Sequence, residues 1–73
     1  MARLFSGASL RDTRLLAGVS TAELAASVGR TPWAILKYET GTAQPPIVIA
    51  DALAEALGVP LESLLVNDSL AVA

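Results

Sequence analysis

The chain has 73 residues, enough for one small domain and no more. It contains no cysteine and no histidine, which excludes disulfides, thiolate or imidazole metal sites, and Ser-His or Cys-His hydrolysis. With 53% hydrophobic residues, 16% charged and a net charge of −2, it is far from a disordered composition, and some apolar surface should be left for a partner.

Residues 1–7 carry one charge and no long apolar run, so no targeting segment is read there. The apolar run 47–50 is as long as any in the chain and far too short to span a bilayer. A soluble cytoplasmic protein is expected, with no membrane partner. A first helix is expected over 8–17, closed by Gly18. Ser20-Thr21-Ala22-Glu23 reads as a capping box, in which Ser20 accepts from the N3 amide and Glu23 reaches back to the Ser20 amide. It opens a second helix over 21–28, ended by Gly29. Thr31-Pro32 is an N-cap followed by proline at N1, where its missing N–H costs nothing. The third helix then runs over 32–40 to Gly41. Pro46 opens a fourth over 46–57 before Gly58, and Pro60 a fifth over 61–66. No segment alternates with period two for long enough to be read as a strand.

Helical spacing selects a common core: Leu24, Ala25 and Val28; Ile35 and Tyr38; Leu53, Ala54 and Leu57; Leu61, Leu64 and Leu65. The fold class is all-α, a compact five-helix domain spanning 1–66. A tail of small apolar residues, 67–73, follows it. Charge is unevenly placed. Residues 1–41 hold Arg3, Arg11, Arg14, Arg30 and Lys37 against Asp12, Glu23 and Glu39, a net +2. Residues 42–73 hold Asp51, Glu55, Glu62 and Asp68 with no base, a net −4. Such a molecule can turn its basic half to a polyanion, although twelve charges can be uneven by chance.

The informative stretch is Ser20 to Gly41. A helix-turn-helix needs a small residue where its helices cross, which Ala25 supplies. Its turn needs a residue with positive φ, which Gly29 supplies. It also needs an apolar plug from the second helix back onto the first, which is Ile35. Around this core, Leu10, Arg14, Gly18, Val19-Ser20, Glu23-Leu24-Ala25, Gly29, Ile35, Tyr38-Glu39, Gly41, Pro45, Leu53-Ala54, Ala56-Leu57-Gly58-Val59 and Leu64-Leu65 stand in a familiar pattern. The run from Leu10 to Leu65 resembles the Cro/C1-type, or Xre-like, helix-turn-helix regulators.

The resemblance implies a lambda-repressor-like DNA-binding domain. Its expected function is that of a sequence-specific transcriptional regulator, a repressor acting by operator occupancy; the length suits a Cro-like regulator or a short immunity repressor of a phage or other mobile element. Its expected partner is an operator in double-stranded DNA. A homodimer would place two third helices in successive major grooves, about 34–36 Å apart. No cofactor, metal, catalytic residue or small-molecule substrate is expected. The competing reading is a protein-interaction module of the same fold, such as an antitoxin or adaptor.

The resemblance also assigns residues. Arg14 and Glu39 correspond to a structural pair joining the first helix to the third. Trp33, at the start of the third helix, either packs against the N-terminal segment or touches a thymine methyl or sugar. Ala34 is grouped with it. Lys37 is either a solvated lysine or a contact to a base edge or phosphate. Arg30 and Thr31 lie at the amide-rich start of that helix, where a phosphate is favoured, although the cap alone explains Thr31. Thr21 has the same position on the second helix. Val48, Ile49 and Ala52 exceed what one buried stripe of the fourth helix can use. They mark either a greasy surface or a dimer interface that Leu70 and Val72 would join.

Overall fold

The computed structural model describes residues 3–67. In chain order these form β1 (Arg3–Phe5), α1 (Gly7–Ala17), α2 (Thr21–Val28), α3 (Pro32–Thr40), α4 (Ile47–Leu57), a 3₁₀ turn (Leu61–Leu64) and β2 (Leu65–Asn67). α3 packs on both α1 and α2, and α4 packs on α2 and on the 3₁₀ turn. No helix among the described residues is long and apolar enough to cross a membrane.

The helix boundaries follow from local chemistry. Ser6 caps α1 by accepting from the Ser9 amide at 3.1 Å. Pro46 precedes α4 with no side-chain cap, so this helix starts at Ile47, one residue later than expected. α1 starts at Gly7, one residue earlier than expected, because Ser6 caps it there, and a close approach leaves no room for a side chain at its first residue. A Cβ on Gly7 would lie 2.6 Å from the Glu39 carbonyl oxygen and closer still to that of Tyr38. Only a residue without a side chain lets the start of α1 rest on the end of α3.

The expected fifth helix is corrected by the structure. Residues 61–64 make one 3₁₀ turn, and Leu65 then turns extended at φ −115° and ψ 149°. Leu65–Asn67 pairs antiparallel with Arg3–Phe5, matching Arg3 with Asn67, Leu4 with Val66 and Phe5 with Leu65. The Ser6 amide donates to the Leu64 carbonyl at 2.7 Å and continues the ladder. A three-residue strand is too short to show alternation, and its partner lies at the other end of the chain. Helical spacing at 61–66 therefore looked adequate while the backbone found better hydrogen bonds elsewhere.

The core is a single cluster of Leu10, Leu24, Ala25, Ile35, Tyr38, Leu53, Ala54 and Leu64. Val28, Leu57 and Leu61 are half-buried against it, as is Phe5 of β1. Fully burying a leucine or isoleucine stabilises by roughly 1.5–3 kcal/mol. Leu10, Leu24, Ile35, Leu53 and Leu64 come one from each of the four helices and the 3₁₀ turn, so every segment is tied to the same centre.

Candidate nucleic-acid interface

α2 and α3 are joined by the tight turn 29–31. The capping box at the start of α2 is complete: Ser20 Oγ accepts from the Glu23 amide at 3.0 Å, and the Ser20 amide donates to Glu23 Oε1 at 2.9 Å. Hydrogen bonding to the carboxyl, first by the Ser20 amide and then by the Ser20 hydroxyl, holds Glu23 below its ordinary pKa. α2 ends at Gly29, whose φ of 69° lies in the left-handed region. The next amide, that of Arg30, donates back to the Ala25 carbonyl at 2.9 Å. Thr31 Oγ1 then accepts from the Ala34 amide at 3.1 Å, and Pro32 begins α3. Ala25 and Ile35 are both fully buried where the helices meet. The first helix of the pair is thus fixed at its start, at its contact and at its end, and the second at its start and at its contact.

The burial of α3 divides it into two faces. Ile35 and Tyr38 point inward. Trp33, Leu36, Lys37 and Thr40, spaced i, i+3, i+4 and i+7, share the opposite face. Trp33 is 67% exposed and Leu36 44%, while Lys37 is half-buried. An ion pair anchors this helix to α1. Arg14 Nε donates to Glu39 Oε2 at 2.6 Å and Nη2 to Oε1 at 3.1 Å, a two-pronged contact with both side chains largely buried. Arg14 Nη1 also donates to the Val19 carbonyl at 3.0 Å, so one guanidinium ties α1, the α1–α2 connection and α3 together. The hydrogen bond to Glu39 raises the Arg14 pKa further above its ordinary value.

A family model described as helix-turn-helix matches residues 10–64. The chain belongs to the Cro/C1-type helix-turn-helix family. That family is one of DNA-binding transcription regulators. Among solved structures, the chain is similar to the P22 c2 repressor in complex with a synthetic operator, with a TM-score of 0.75 and 28% identity over 80% of this chain and 88% of that one. It is similar to the restriction-modification controller protein C.AhdI from Aeromonas hydrophila, with a TM-score of 0.76 and 29% identity over 80% and 84%. It is also similar to part of the hydroxypropylphosphonic acid epoxidase from S. wedmorenis, with a TM-score of 0.73 and 25% identity over 80% of this chain but 31% of that one. No curated protein matches.

Within this Cro/C1-type domain the residues singled out from sequence do not all lie together. Thr31, Trp33 and Lys37 lie on or beside the outward face of α3. Ala34 does not: it is half-buried and packs against the core, because its position on the helix turns it towards the inward side. Thr21 opens α2 and is half-buried. Arg30 is exposed, yet its Nη2 donates to the buried Tyr38 hydroxyl at 2.9 Å. That bond spans the turn over eight residues, and no sequence spacing announced it. The guanidinium has four further donors. Ile49 is likewise half-buried against the core, one turn before Leu53. Ala52 is half-buried as well, which leaves Ile47 and Val48, at 66% and 74% exposure, as the open large apolar residues of α4. Leu70 and Val72 lie outside the described residues.

Proposed function

We propose that this protein is a repressor that acts by occupying a two-fold operator in double-stranded DNA. It would bind as a homodimer, with α3 of each subunit in the major groove. The observation that carries this reading is the outward face of α3. It is an exposed face on a helix held at three places, the arrangement that a groove-reading helix requires. Arg11, Arg30 and Lys37 supply positive charge around it, whereas Asp51 and Glu55 lie on α4. The likeness to an operator-bound repressor supports the same reading, and supports a Cro-like or immunity-repressor role in a phage or mobile element. The open Ile47 and Val48 of α4 support self-association.

Selection of bound sequences from random double-stranded DNA tests this. The expected product is a palindrome with half-sites one helical turn apart, bound by two subunits and released steeply as salt rises. A selection that enriches no sequence would remove the reading. So would binding that is indifferent to salt, which belongs to apolar protein docking.

A further inference from the structure

We propose that α3 reads its operator chiefly through thymine 5-methyl groups, which pack against Trp33 and Leu36. The inference rests on the DNA-binding reading above and specifies which chemical feature of the DNA that surface recognises.

Two of the four residues on the outward face of α3 are large and apolar, and both are substantially exposed. The polar capacity beside them is small and mostly in use. Thr31 Oγ1 is committed to the cap of the helix. Thr40 Oγ1 lies 3.3 Å from the Lys37 carbonyl and 3.0 Å from the Thr42 hydroxyl, so it is engaged within the protein. Glu39 is the only carboxylate or amide side chain in α3, and both its oxygens hold Arg14. No side-chain carboxylate or amide on that face is therefore left to accept from the N4 amino group of cytosine or the N6 amino group of adenine. Those contacts, together with arginine or lysine on guanine, are the usual polar routes to base identity in the major groove. Within α3, Lys37 alone provides a charged donor, suited to guanine or to a phosphate.

What remains is apolar contact. The major groove offers one apolar landmark, the C5-methyl of thymine. Trp33 and Leu36 stand one turn apart on the same face, so they can address neighbouring base pairs along the groove. The basic residues Arg11, Arg30 and Lys37 favour a polyanion over an apolar protein as the occupant of this face. The structure therefore assigns base identity to the two apolar residues and attraction to the surrounding cations.

The test uses the operator obtained by selection. Each thymine is replaced singly by deoxyuridine, which pairs identically but lacks the methyl group. At one or two positions per half-site, affinity should fall roughly three- to fivefold, the value of one buried methyl-sized group. Trp33→Ala and Leu36→Ala should each bind more weakly overall and lose that sensitivity at their own position. Lys37→Ala should bind more weakly and keep it. All three variants alter exposed or half-exposed side chains, and thermal melts verify that they fold. Equal affinity of the wild-type protein for the thymine and uracil operators would overturn methyl readout while leaving specific DNA binding intact. Failure to select any sequence would overturn both.

Discussion

Arg14 shows how one side chain can be worth more to the fold than its charge suggests. Its partner Glu39 is 3% exposed, so removing the guanidinium leaves a carboxylate buried without a counter-charge. Breaking such a pair from one side costs about 3–5 kcal/mol. In a domain of this size Arg14→Met should therefore lower Tm by at least about 12 °C. The double variant Arg14→Met with Glu39→Leu should recover much of that loss, because no charge is then stranded. Thermal melts of the three proteins decide it; a single variant that melts with the wild type would show that the pair is energetically idle. Gly29 is a different case. An added Cβ there would meet nothing within 4 Å, so the cost of substitution lies in the backbone alone. With φ at 69°, Gly29→Ala should destabilise by about 1–2 kcal/mol, Gly29→Val by more and Gly29→Asn by less. Denaturant titration measures the order, and an order set by side-chain size alone would contradict the conformational explanation.

Among the elements, α2 carries a pH signature. Its Glu23 carboxyl is held below the ordinary value by the Ser20 amide and hydroxyl. A lowered folded-state pKa means that the capping contribution is present above the unfolded value of about 4.5 and is lost as pH falls through the folded value. Between pH 7 and pH 3 the wild type should lose more thermal stability than Glu23→Gln, whose neutral amide keeps accepting from Ser20. Parallel losses in the two proteins would locate the acid sensitivity elsewhere. The same element explains what was legible beforehand. α2 and α3 have a cap, a helical stripe and a stop within a few residues of one another, so their bounds could be read directly. The third-helix face bearing Trp33 and Lys37 followed from the same periodicity. The β1–β2 pair could not be read, because its stability comes from residues at opposite ends of the chain. That Ile49 and Ala34 lie half-buried against the core could not be read either, because composition says how much apolar surface exists, whereas only packing says which side chains the core accepts. The Arg30–Tyr38 bond needed the turn's geometry, which no residue type specifies.

For the whole molecule, the charge distribution limits how DNA can be held. Arg14 is neutralised by Glu39, which leaves Arg11, Arg30 and Lys37 as the cations of residues 7–40 that no carboxylate pairs in a salt bridge. Each phosphate neutralised contributes about −0.9 to the slope of log K against log salt. A dimer using all three per subunit should show a slope of no more than about −5, and Lys37→Ala in both subunits should reduce it by up to about 2 if both lysines meet phosphate. Operator binding measured over a range of salt concentrations gives the number. A much steeper slope would mean that charges other than these three carry the contact.

The antiparallel match of Arg3–Phe5 with Leu65–Asn67 turns an open chain into something close to a ring, clasped by three residue pairs. Forming that clasp closes a loop of roughly sixty residues, an entropic cost that the short-range hydrogen bonds of the helices do not bear. It should therefore be the first part of the molecule to open and the last to shut. In native-state hydrogen exchange, the amides of Leu4, Ser6 and Val66 should exchange through a local opening well below the free energy of global unfolding. The amides inside α2 and α3 should exchange only when the whole domain unfolds. Since Phe5 packs against the core, each opening would briefly bare an apolar flank while the helix-turn-helix stays intact. A common exchange free energy for clasp and helices would instead make the protein a single cooperative unit from end to end.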